Sequence, residues 1–289
     1  MIRHIKKILR SPYNSLINLL FKVFPYAQKK IDLLGKPFYY SRFSQQTRNF
    51  LHRFKNETVN DIKIECISIN HIFDNNPITC IDIGANIGYQ SRAYKEFLNL
   101  DNHLCFEPSK LNYSFLKKNL KDRTSLYNFA LGDKSEIKTL SMPESGDRIS
   151  NLGLLTLTTP AAVSANFLTE RVECIPFDDC KIITGDQKNI FCKIDVEGFE
   201  LNVLQGMRRF LSGGKNILLN LELNINIPNV NIENIKEILV FLEKINFKYI
   251  STPGSDHLNL DWVETSFSDL HNKVKERKIV DAYFIKNSV

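Results

Sequence analysis

The stretch PITCIDIGANIGYQSRAYKEFL, residues 77–98, decides how this chain folds. Its first part is apolar and β-branched around a single acid, Asp82, which is typical of a buried strand. The strand leads into GANIG, where Gly84 and Gly88 allow a tight turn and a close approach of the backbone. A helical pattern begins at Tyr89. The stretch therefore predicts one strand–turn–helix unit of a parallel sheet.

Helical and strand patterns alternate through the rest of the chain, which predicts a doubly wound α/β fold with helices on both faces of a mostly parallel sheet. The hydrophobic fraction of 43% and the charged fraction of 24% are ordinary values for a packed globular domain. The pattern predicts strands at 78–83, 103–106, 125–130, 190–195 and 217–223, and helices at 59–73, 89–98, 109–120, 197–211 and 231–245. We expect a basic, helical N-terminal extension over residues 1–58 and one domain over residues 59–289.

The cysteines indicate the cellular compartment. The chain has 6 of them, without a C-x-x-C pair and without zinc-like spacing. Three of them, Cys80, Cys105 and Cys192, fall inside apolar runs, where free cysteine behaves as a small hydrophobic residue. We therefore expect a reducing, cytoplasmic environment.

Positive charge is concentrated at the N-terminus. Residues 1–55 hold twelve Lys and Arg against one acid, Asp32, so the formal net charge of +6 divides into +11 here and −5 in the remaining chain. This division argues against a nucleic-acid-binding domain. Apolar residues at helical spacing within residues 1–30 leave two interpretations: peripheral contact with an anionic membrane, or a helical cap on the domain. The apolar run is too short for a transmembrane helix, and no clear signal-peptide cleavage site follows it.

Ligands of such sheets bind at the carboxyl ends of the strands, where the glycine turn lies. The turn lacks both the G-x-x-x-x-G-K-[ST] and the G-x-G-x-x-G spacing, which argues against a bound pyrophosphate. Glu107 ends the next predicted strand, where a carboxylate can accept both hydroxyls of a ribose. ALGD, from Ala130, follows at a third strand end, and KIDVEG brings Asp195 and Glu197 to a fourth. A nucleoside without phosphates, held by acids and glycines, indicates S-adenosylmethionine, whose sulfonium is cationic.

Five sequence blocks occur in a fixed order over roughly residues 60–225: CIDIGANIGYQS, LCFEPSKLNYSFLKKNL, NFALGDKSEIKTL, VECIPFDD and CKIDVEGFELNVLQGMRRFL. Together they resemble the FkbM family of S-adenosylmethionine-dependent methyltransferases. The combination of DIGANIG, FEP and KIDVEG is much more specific than any one block.

The resemblance implies the class I methyltransferase fold, a seven-stranded sheet whose final strand is antiparallel. It implies O-methylation, commonly of sugar hydroxyls in glycans, glycolipids or glycosylated natural products. It also implies which residues bind the cofactor: Asp82, Gly84, Asn86 and Gly88 at the methionine end, Glu107 at the ribose, Ala130 and Leu131 at the adenine, and Asp195 where the donor methyl meets the acceptor.

A sugar hydroxyl is a weak nucleophile, so we expect a base or a metal to assist the transfer. Asp195 is the first candidate base, and its alternative role is a cap of the helix that follows it. Asp195 and Glu222 end adjacent predicted strands and could bind a divalent metal. Lys193, just before the end of its predicted strand, could pair with Glu222 or Glu197. His257 is a further candidate base, and Trp262 in the same predicted loop could stack on a sugar or fill a crevice.

Three further alternatives remain at this point. A nicotinamide-dependent oxidoreductase would be built from the same βαβ units, but the dinucleotide-binding fingerprint is missing. A membrane-associated binding protein could keep the fold without turnover. A methyltransferase of this fold could also act on a nitrogen or a carboxylate. The sequence gives no indication of the oligomeric state.

Overall fold

The computed structural model describes residues 23–24, 26–42, 57–143, 167–182, 188–227, 230–251 and 262–288. These residues form a central eight-stranded sheet, a three-stranded sheet beside it and an N-terminal hairpin. The strands of the central sheet are β3 (Ile78–Ile83), β4 (Leu100–Phe106), β5 (Ser125–Tyr127), β9 (Asn189–Ile194), β10 (Asn216–Asn224), β11 (Lys248–Ser251), β12 (Val263–Thr265) and β13 (Ile279–Lys286).

The strand order of the central sheet is β12-β11-β13-β10-β9-β3-β4-β5. The five strands from β10 to β5 are parallel, and β13 runs antiparallel between β10 and β11. This confirms the predicted mostly parallel sheet with an antiparallel final strand. The expected number of seven strands was one too low, because β12 pairs with β11 and extends the edge.

Helices cover both faces of the sheet. They are α1 (Glu57–Ile72), α2 (Tyr89–Phe97), α3 (Lys110–Asn119), α4 (Glu200–Gly206), α5 (Arg208–Ser212), α6 (Ile232–Lys244) and α7 (Phe267–Arg277). Side chains of α1 and α2 share one hydrophobic core with Cys80, Phe191 and Leu218, whereas α4, α6 and α7 pack with Ile81 and Leu219 on the opposite face. Successive strand residues point to opposite faces, so the central strands β3, β9 and β10 contribute to both cores.

The helix boundaries follow from local side chains. Ser109 caps α3 by accepting a hydrogen bond from the backbone N–H of Asn112. Asn231 begins α6 with a capping box, in which the side-chain oxygen of Asn234 accepts a hydrogen bond from the backbone N–H of Asn231. The predicted helix 197–211 is wrong as a single element. Glu197 has φ 53°, outside the helical range, and the non-helical φ and ψ of Met207 divide the segment into α4 and α5.

A small sheet lies beside the main one. Its strands are β6 (Ala130–Leu131), β7 (Glu136–Pro143) and β8 (Phe167–Ile175), in the order β6-β8-β7. The predicted strand 125–130 is therefore divided between two sheets. β5 pairs with β4, and β6 pairs in parallel with β8.

Residues 28–41 of the N-terminal extension form a β-hairpin, so the extension is not helical throughout. β1 (Gln28–Leu33) and β2 (Lys36–Ser41) pair antiparallel around a turn at Gly35. Phe38 and Tyr40 are fully buried in the same core as α1 and α2. The hairpin is thus packed onto the domain, and residues 1–22 and 43–56 lie outside the described part of the chain. Among the described helices, none has the length and apolar character needed to cross a bilayer.

Candidate functional site

The turn after β3 brings two strand ends into contact. Gly84 has φ 86°, and a Cβ at this position would lie 1.9 Å from the backbone oxygen of Asp195, which follows β9. The backbone N–H of Asp195 in turn donates to the carbonyl of Ile83 at 3.0 Å. Only glycine combines this backbone conformation with such close approach. Gly88 also has φ 86°, and a Cβ there would lie 2.8 Å from Cδ1 of Leu116.

Glu107 is anchored by the glycine turn and by the start of α3. Its Oε2 accepts from the backbone N–H of Asn86 at 2.9 Å, and its Oε1 accepts from the backbone N–H of Ser109 at 2.9 Å. Burial raises the pKa of Glu107 to about 7, although these bonds and one from the Asn112 side chain act in the opposite direction. We refer to the glycine turn, residues 84–88, together with Glu107 as the glycine-turn edge.

Asp82 lies one layer deeper than the turn. Its side chain accepts a hydrogen bond from the hydroxyl of Ser91 in α2, and only 2% of its surface is exposed. Burial raises the pKa of Asp82, while Lys193 and Ser91 lower it. Lys193 lies directly beside Asp82 on the neighbouring strand β9. Asp82 therefore connects the turn-bearing strand, the following helix and the buried lysine.

Lys193 and Asp195 form the best-defined ion pair of the site. Nζ of Lys193 lies 2.7 Å from Oδ2 of Asp195, and the lysine side chain is only 3% exposed. Burial lowers the pKa of this lysine, but Asp195 and Asp82 outweigh burial and raise it above its usual range. Lys193 is therefore charged at neutral pH. The pairing corrects the expectation that Lys193 pairs with Glu222 or Glu197, and Asp195 does not cap α4, which begins after Phe199 without a side-chain cap.

Three half-buried carboxylates meet at the ends of β9 and β10, and we refer to them as the acidic edge. One oxygen each from Asp195, Glu197 and Glu222 lie within 4.8 Å of one another. Burial and the charges of Asp195 and Glu222 raise the pKa of Glu197 to about 9, so that it holds a proton at neutral pH. Burial, Asp195 and Asp281 raise the pKa of Glu222 in the same way. Glu200 supports the turn by accepting from the backbone N–H of Gly198 at 3.0 Å.

A further buried carboxylate, Glu65 of α1, is bound by side chains of β13 and α2. Oε1 of Glu65 accepts hydrogen bonds from the hydroxyls of Tyr283 in β13 at 2.9 Å and Tyr94 in α2 at 3.4 Å. Burial raises the pKa of Glu65 to about 7, and Lys193 is close enough to lower it. Sequence reasoning missed Glu65 and Tyr283. The register of β13 beside β10, which aligns Tyr283 with Asn220 and Asn220 with Lys193, has no local sequence signal.

The structure places the other predicted residues less centrally. Ala130 and Leu131 are buried in the core that contains α4. Trp262 packs edge-on against Tyr283 with ring centroids 4.8 Å apart, which favours its predicted crevice-filling role. His257 lies outside the described residues, so its role as a base stays a prediction.

A glycine turn after β3, a carboxylate after β4 and acids at the ends of β9 and β10 define an α/β protein with a candidate ligand site at the carboxyl edge of its sheet. The model of the methyltransferase FkbM domain matches residues 82–249, more than half of the chain. The chain belongs to this methyltransferase family. A search of curated proteins gives no match.

Several solved structures are similar in fold. The methyltransferase FkbM from Methylobacillus flagellatus KT is 14% identical, with a TM-score of 0.41 over 73% of this chain and 44% of its own, so this chain spans less than half of that one. The plantazolicin methyltransferase BpumL in complex with SAH is also 14% identical, with a TM-score of 0.45 over 84% of this chain and 89% of its own. M. jannaschii TYW2 in complex with AdoMet is 10% identical, with a TM-score of 0.37 over 90% and 87%.

Proposed function

We propose that this chain is an S-adenosylmethionine-dependent O-methyltransferase that methylates a sugar hydroxyl of a glycan, a glycolipid or a glycosylated metabolite. The supporting observation is the contact between the two edges of the site. A Cβ at Gly84 would lie 1.9 Å from the backbone oxygen of Asp195, so the turn that we assign to the donor touches the residue that we assign to the acceptor. Methyl transfer depends on holding donor and acceptor together.

The residues of the glycine-turn edge fit S-adenosylmethionine. Both carboxylate oxygens of Glu107 are oriented by backbone N–H groups, and the Asn112 side chain gives a third hydrogen bond, so one of the four lone-pair sites remains for a ribose hydroxyl. The turn itself has no lysine or arginine, in agreement with a ligand without phosphates. In this proposal Asp82, Gly84, Asn86 and Gly88 hold the methionine end, and Ala130 and Leu131 flank the adenine.

Asp195 is the proposed proton acceptor. S-adenosylmethionine, when bound, supplies an electrophilic methyl group whose thioether leaving group needs no acid. Asp195 accepts the hydroxyl proton of the acceptor as the acceptor oxygen becomes nucleophilic. Lys193 holds Oδ2 of Asp195 at 2.7 Å, which fixes the carboxylate and leaves Oδ1 for the acceptor. Glu222 and His257 are the remaining candidates for proton transfer.

A divalent cation is a second candidate to assist the acceptor. Asp195, Glu197 and Glu222 offer one oxygen each within a space that a hard cation could bridge. Binding would release the proton that Glu197 holds, because its pKa is about 9. Under this alternative, transfer stops after chelation and returns with Mg²⁺. Under the base mechanism chelation changes nothing.

The acidic edge also favours a second acceptor class, an amine. An ammonium group would be attracted to the carboxylates of Asp195 and Glu222 before it loses its proton and accepts the methyl group. A carboxyl acceptor would be repelled there. The amine alternative predicts that transfer rises steeply with pH, since only the unprotonated amine is a nucleophile.

The first test is isothermal titration with S-adenosylhomocysteine, with NAD as the control ligand. We expect micromolar affinity for S-adenosylhomocysteine, no heat with NAD, and loss of binding in Glu107→Ala. A labelled-methyl assay on glycan and amine panels then identifies the acceptor, and Asp195→Asn should reduce transfer far more than it reduces affinity for S-adenosylhomocysteine. Preference for NAD would overturn the cofactor assignment. Cofactor binding without transfer to any panel member would favour the non-catalytic alternative.

We further propose that the protein works in the cytoplasm, close to membranes where lipid-linked acceptors lie. The support is the charge of residues 1–55, which hold twelve Lys and Arg and one acid. Nothing in the site indicates a nucleic-acid partner, because its edge is acidic and would repel phosphates.

A further inference from the structure

The open end of the N-terminal hairpin combines exposed apolar and basic side chains. Val23, Phe24 and Tyr26 are 57%, 55% and 56% exposed. Lys29 and Lys30 follow within β1 and are also exposed. Such a run of large apolar side chains in water is costly unless a partner covers it.

The ends of β2 and α3 bring two further cations to the open end of the hairpin. The backbone N–H of Arg42, at the end of β2, donates to the carbonyl of Ala27 at 2.6 Å, so exposed Arg42 lies beside the apolar turn. Nζ of Lys118, near the end of α3, donates to Oε1 of Gln28 at 2.7 Å. We call this surface the hairpin tip, defined as Val23, Phe24, Tyr26, Lys29, Lys30, Arg42 and Lys118.

Acids are nearly absent from the described hairpin. Residues 26–42 contain four Lys and Arg and one acid, Asp32. Asp32 accepts the backbone N–H of Gly35 at 3.1 Å, so it belongs to the turn at the opposite end of the hairpin from Arg42. The apolar side chains and the two lysines of the hairpin tip therefore lie on a hairpin whose single acid is at the far end.

The hairpin tip is held rigidly on the domain. The side chain of Asn119 accepts from the backbone N–H of Tyr39 at 2.6 Å and donates to its carbonyl at 2.8 Å. The same amide donates to the carbonyl of Ile87 in the glycine turn at 2.7 Å. Phe38 packs edge-on against Tyr89, the first residue of α2. A partner bound to the hairpin would thus be fixed relative to the glycine turn.

We propose that the hairpin tip docks on an anionic lipid bilayer, with Phe24 and Tyr26 entering the headgroup region and the cations contacting lipid phosphates. Aromatic and aliphatic side chains flanked by lysines are the usual composition of an interfacial membrane contact. A nucleic-acid surface would be basic without the exposed apolar group. The observations lie on described residues away from the catalytic edge, so the proposal is independent of the acceptor identity.

The test is vesicle co-sedimentation of the full-length protein, with phosphatidylcholine vesicles compared with vesicles that also contain phosphatidylglycerol. We expect binding to the anionic vesicles only, weakened by salt. Lys29→Glu/Lys30→Glu should reduce the partition coefficient by at least about 25-fold, since each cation near an anionic surface contributes about fivefold. Phe24→Asp should reduce it about tenfold or more.

Matched controls distinguish this surface from general effects. Ile137→Asp changes an equally exposed apolar residue, 55% exposed, in β7. Lys236→Glu/Lys244→Glu reverses two exposed charges in α6. Both control proteins should bind vesicles to within about twofold of the wild type, and every variant should keep its melting temperature and its affinity for S-adenosylhomocysteine.

Two results would overturn the proposal. One is that the wild-type protein does not bind anionic vesicles, or that the hairpin-tip variants bind them as well as the control variants do. The other is a concentration-dependent dimer that Phe24→Asp abolishes, which would assign the surface to self-association. If the wild-type protein does not bind S-adenosylhomocysteine, the proposed cofactor is contradicted. The vesicle result can still be interpreted, because it does not depend on the cofactor.

Discussion

The glycine-turn edge and the acidic edge lie in contact but are assembled in different ways. The glycine-turn edge comes from one short piece of chain, residues 82–112, and the carboxylate of Glu107 is bound by backbone groups of that same piece. The acidic edge and its buried lysine draw on β9, β10, β13 and α1. A locally built edge is specified by its own sequence. An edge built from distant elements is specified by the register of the whole sheet.

The two edges also differ in their electrostatics. Asp82 and Glu107 accept well-placed hydrogen bonds that partly offset the cost of burial. At the acidic edge one buried cation, Lys193, faces Asp195, Glu197 and Glu222, and Oε2 of Glu197 is buried without a hydrogen-bond partner. Because carboxylates crowd there, Glu197 and Glu222 hold protons more readily than exposed carboxyls do. A bound cation would reverse that preference, so the acidic edge responds to charge and the glycine-turn edge to backbone fit.

The largest expected effect is the loss of the buried cation. Lys193→Met should lower the free energy of unfolding by about 3–5 kcal/mol, because it leaves the Asp195 charge without its partner. Lys236, whose pair with Glu233 is exposed, supplies the matched control, and Lys236→Met should change stability by less than about 0.5 kcal/mol. Urea denaturation measures both.

The second step of this experiment adds Asp195→Asn to Lys193→Met. The double variant should recover part of the lost stability, since the Asp195 charge is removed together with its partner, whereas the buried Asp82 still lacks the neighbouring cation. Equal stability of Lys193→Met and Lys236→Met would contradict the view that the acidic edge depends on this lysine.

The next largest effect tests the contact between the edges. Gly84→Ala should lower the free energy of unfolding by about 2–4 kcal/mol. The new Cβ would lie 1.9 Å from the Asp195 backbone oxygen, at a residue with φ 86°. Gly35 has a similar φ of 71°, and a Cβ added there would have no heavy atom within 4 Å. Gly35→Ala should therefore lower the free energy of unfolding by only about 1 kcal/mol. The difference isolates the steric contact from the backbone conformation. Gly84→Ala should also weaken S-adenosylhomocysteine binding, and similar costs at both glycines would show that the edges can separate.

Glu107 gives a pH test of the glycine-turn edge. Its pKa of about 7 means that the carboxylate is mostly protonated at pH 6 and mostly ionised at pH 8. Ribose hydroxyls donate to the ionised form, so S-adenosylhomocysteine should bind about tenfold more weakly at pH 6 than at pH 8. Glu107→Gln should bind weakly at both values and lose this dependence. A wild-type affinity that is constant over this interval would contradict the proposed ribose contact.

The contrast explains which parts of the site could be predicted from the sequence. The strand, turn and helix at residues 77–98 carry their own signals, in apolar runs and glycines, and Glu107 follows from the next strand end. The pairing of Lys193 with Asp195 had one sequence signal, because residues two apart on a strand share a face. This signal did not exclude Glu197 or Glu222 as the partner of Lys193, since both carry the same carboxylate group.

What could not be predicted depended on register and on backbone detail. Glu65 comes from a helix far earlier in the chain and had no local signal. The nearness of Asp195 and Glu222, in contrast, was predicted from their strand ends, and the register of β10 beside β9 confirms it. The positive φ of Glu197, which moves that residue out of the predicted helix, reflects packing at the end of β9 and has no glycine to mark it. The extra strand β12 and the hairpin likewise depend on tertiary pairing.

The smallest effect concerns how the acidic edge recognises charge. S-adenosylmethionine carries a positive sulfonium and S-adenosylhomocysteine does not, so carboxylates near the transferred methyl should favour the former. Glu222→Gln removes one carboxylate with little change of shape, and should reduce the ratio of the two affinities by about threefold to fivefold. Glu243→Gln, an exposed change on α6, should leave the ratio unchanged.

The sign of the pH dependence sharpens this prediction. Burial and neighbouring acids raise the pKa of Glu222 and of Glu197, so both carboxyls gain charge as the pH rises. The preference for the sulfonium should therefore increase from pH 6 to pH 9 in the wild type, and increase less in Glu222→Gln. The ratio cancels the contribution of Glu107, which both ligands share. A ratio that is independent of pH and of Glu222 would place the sulfonium away from the acidic edge. Asp195 would then approach the acceptor from a carboxylate cluster that the donor never contacts.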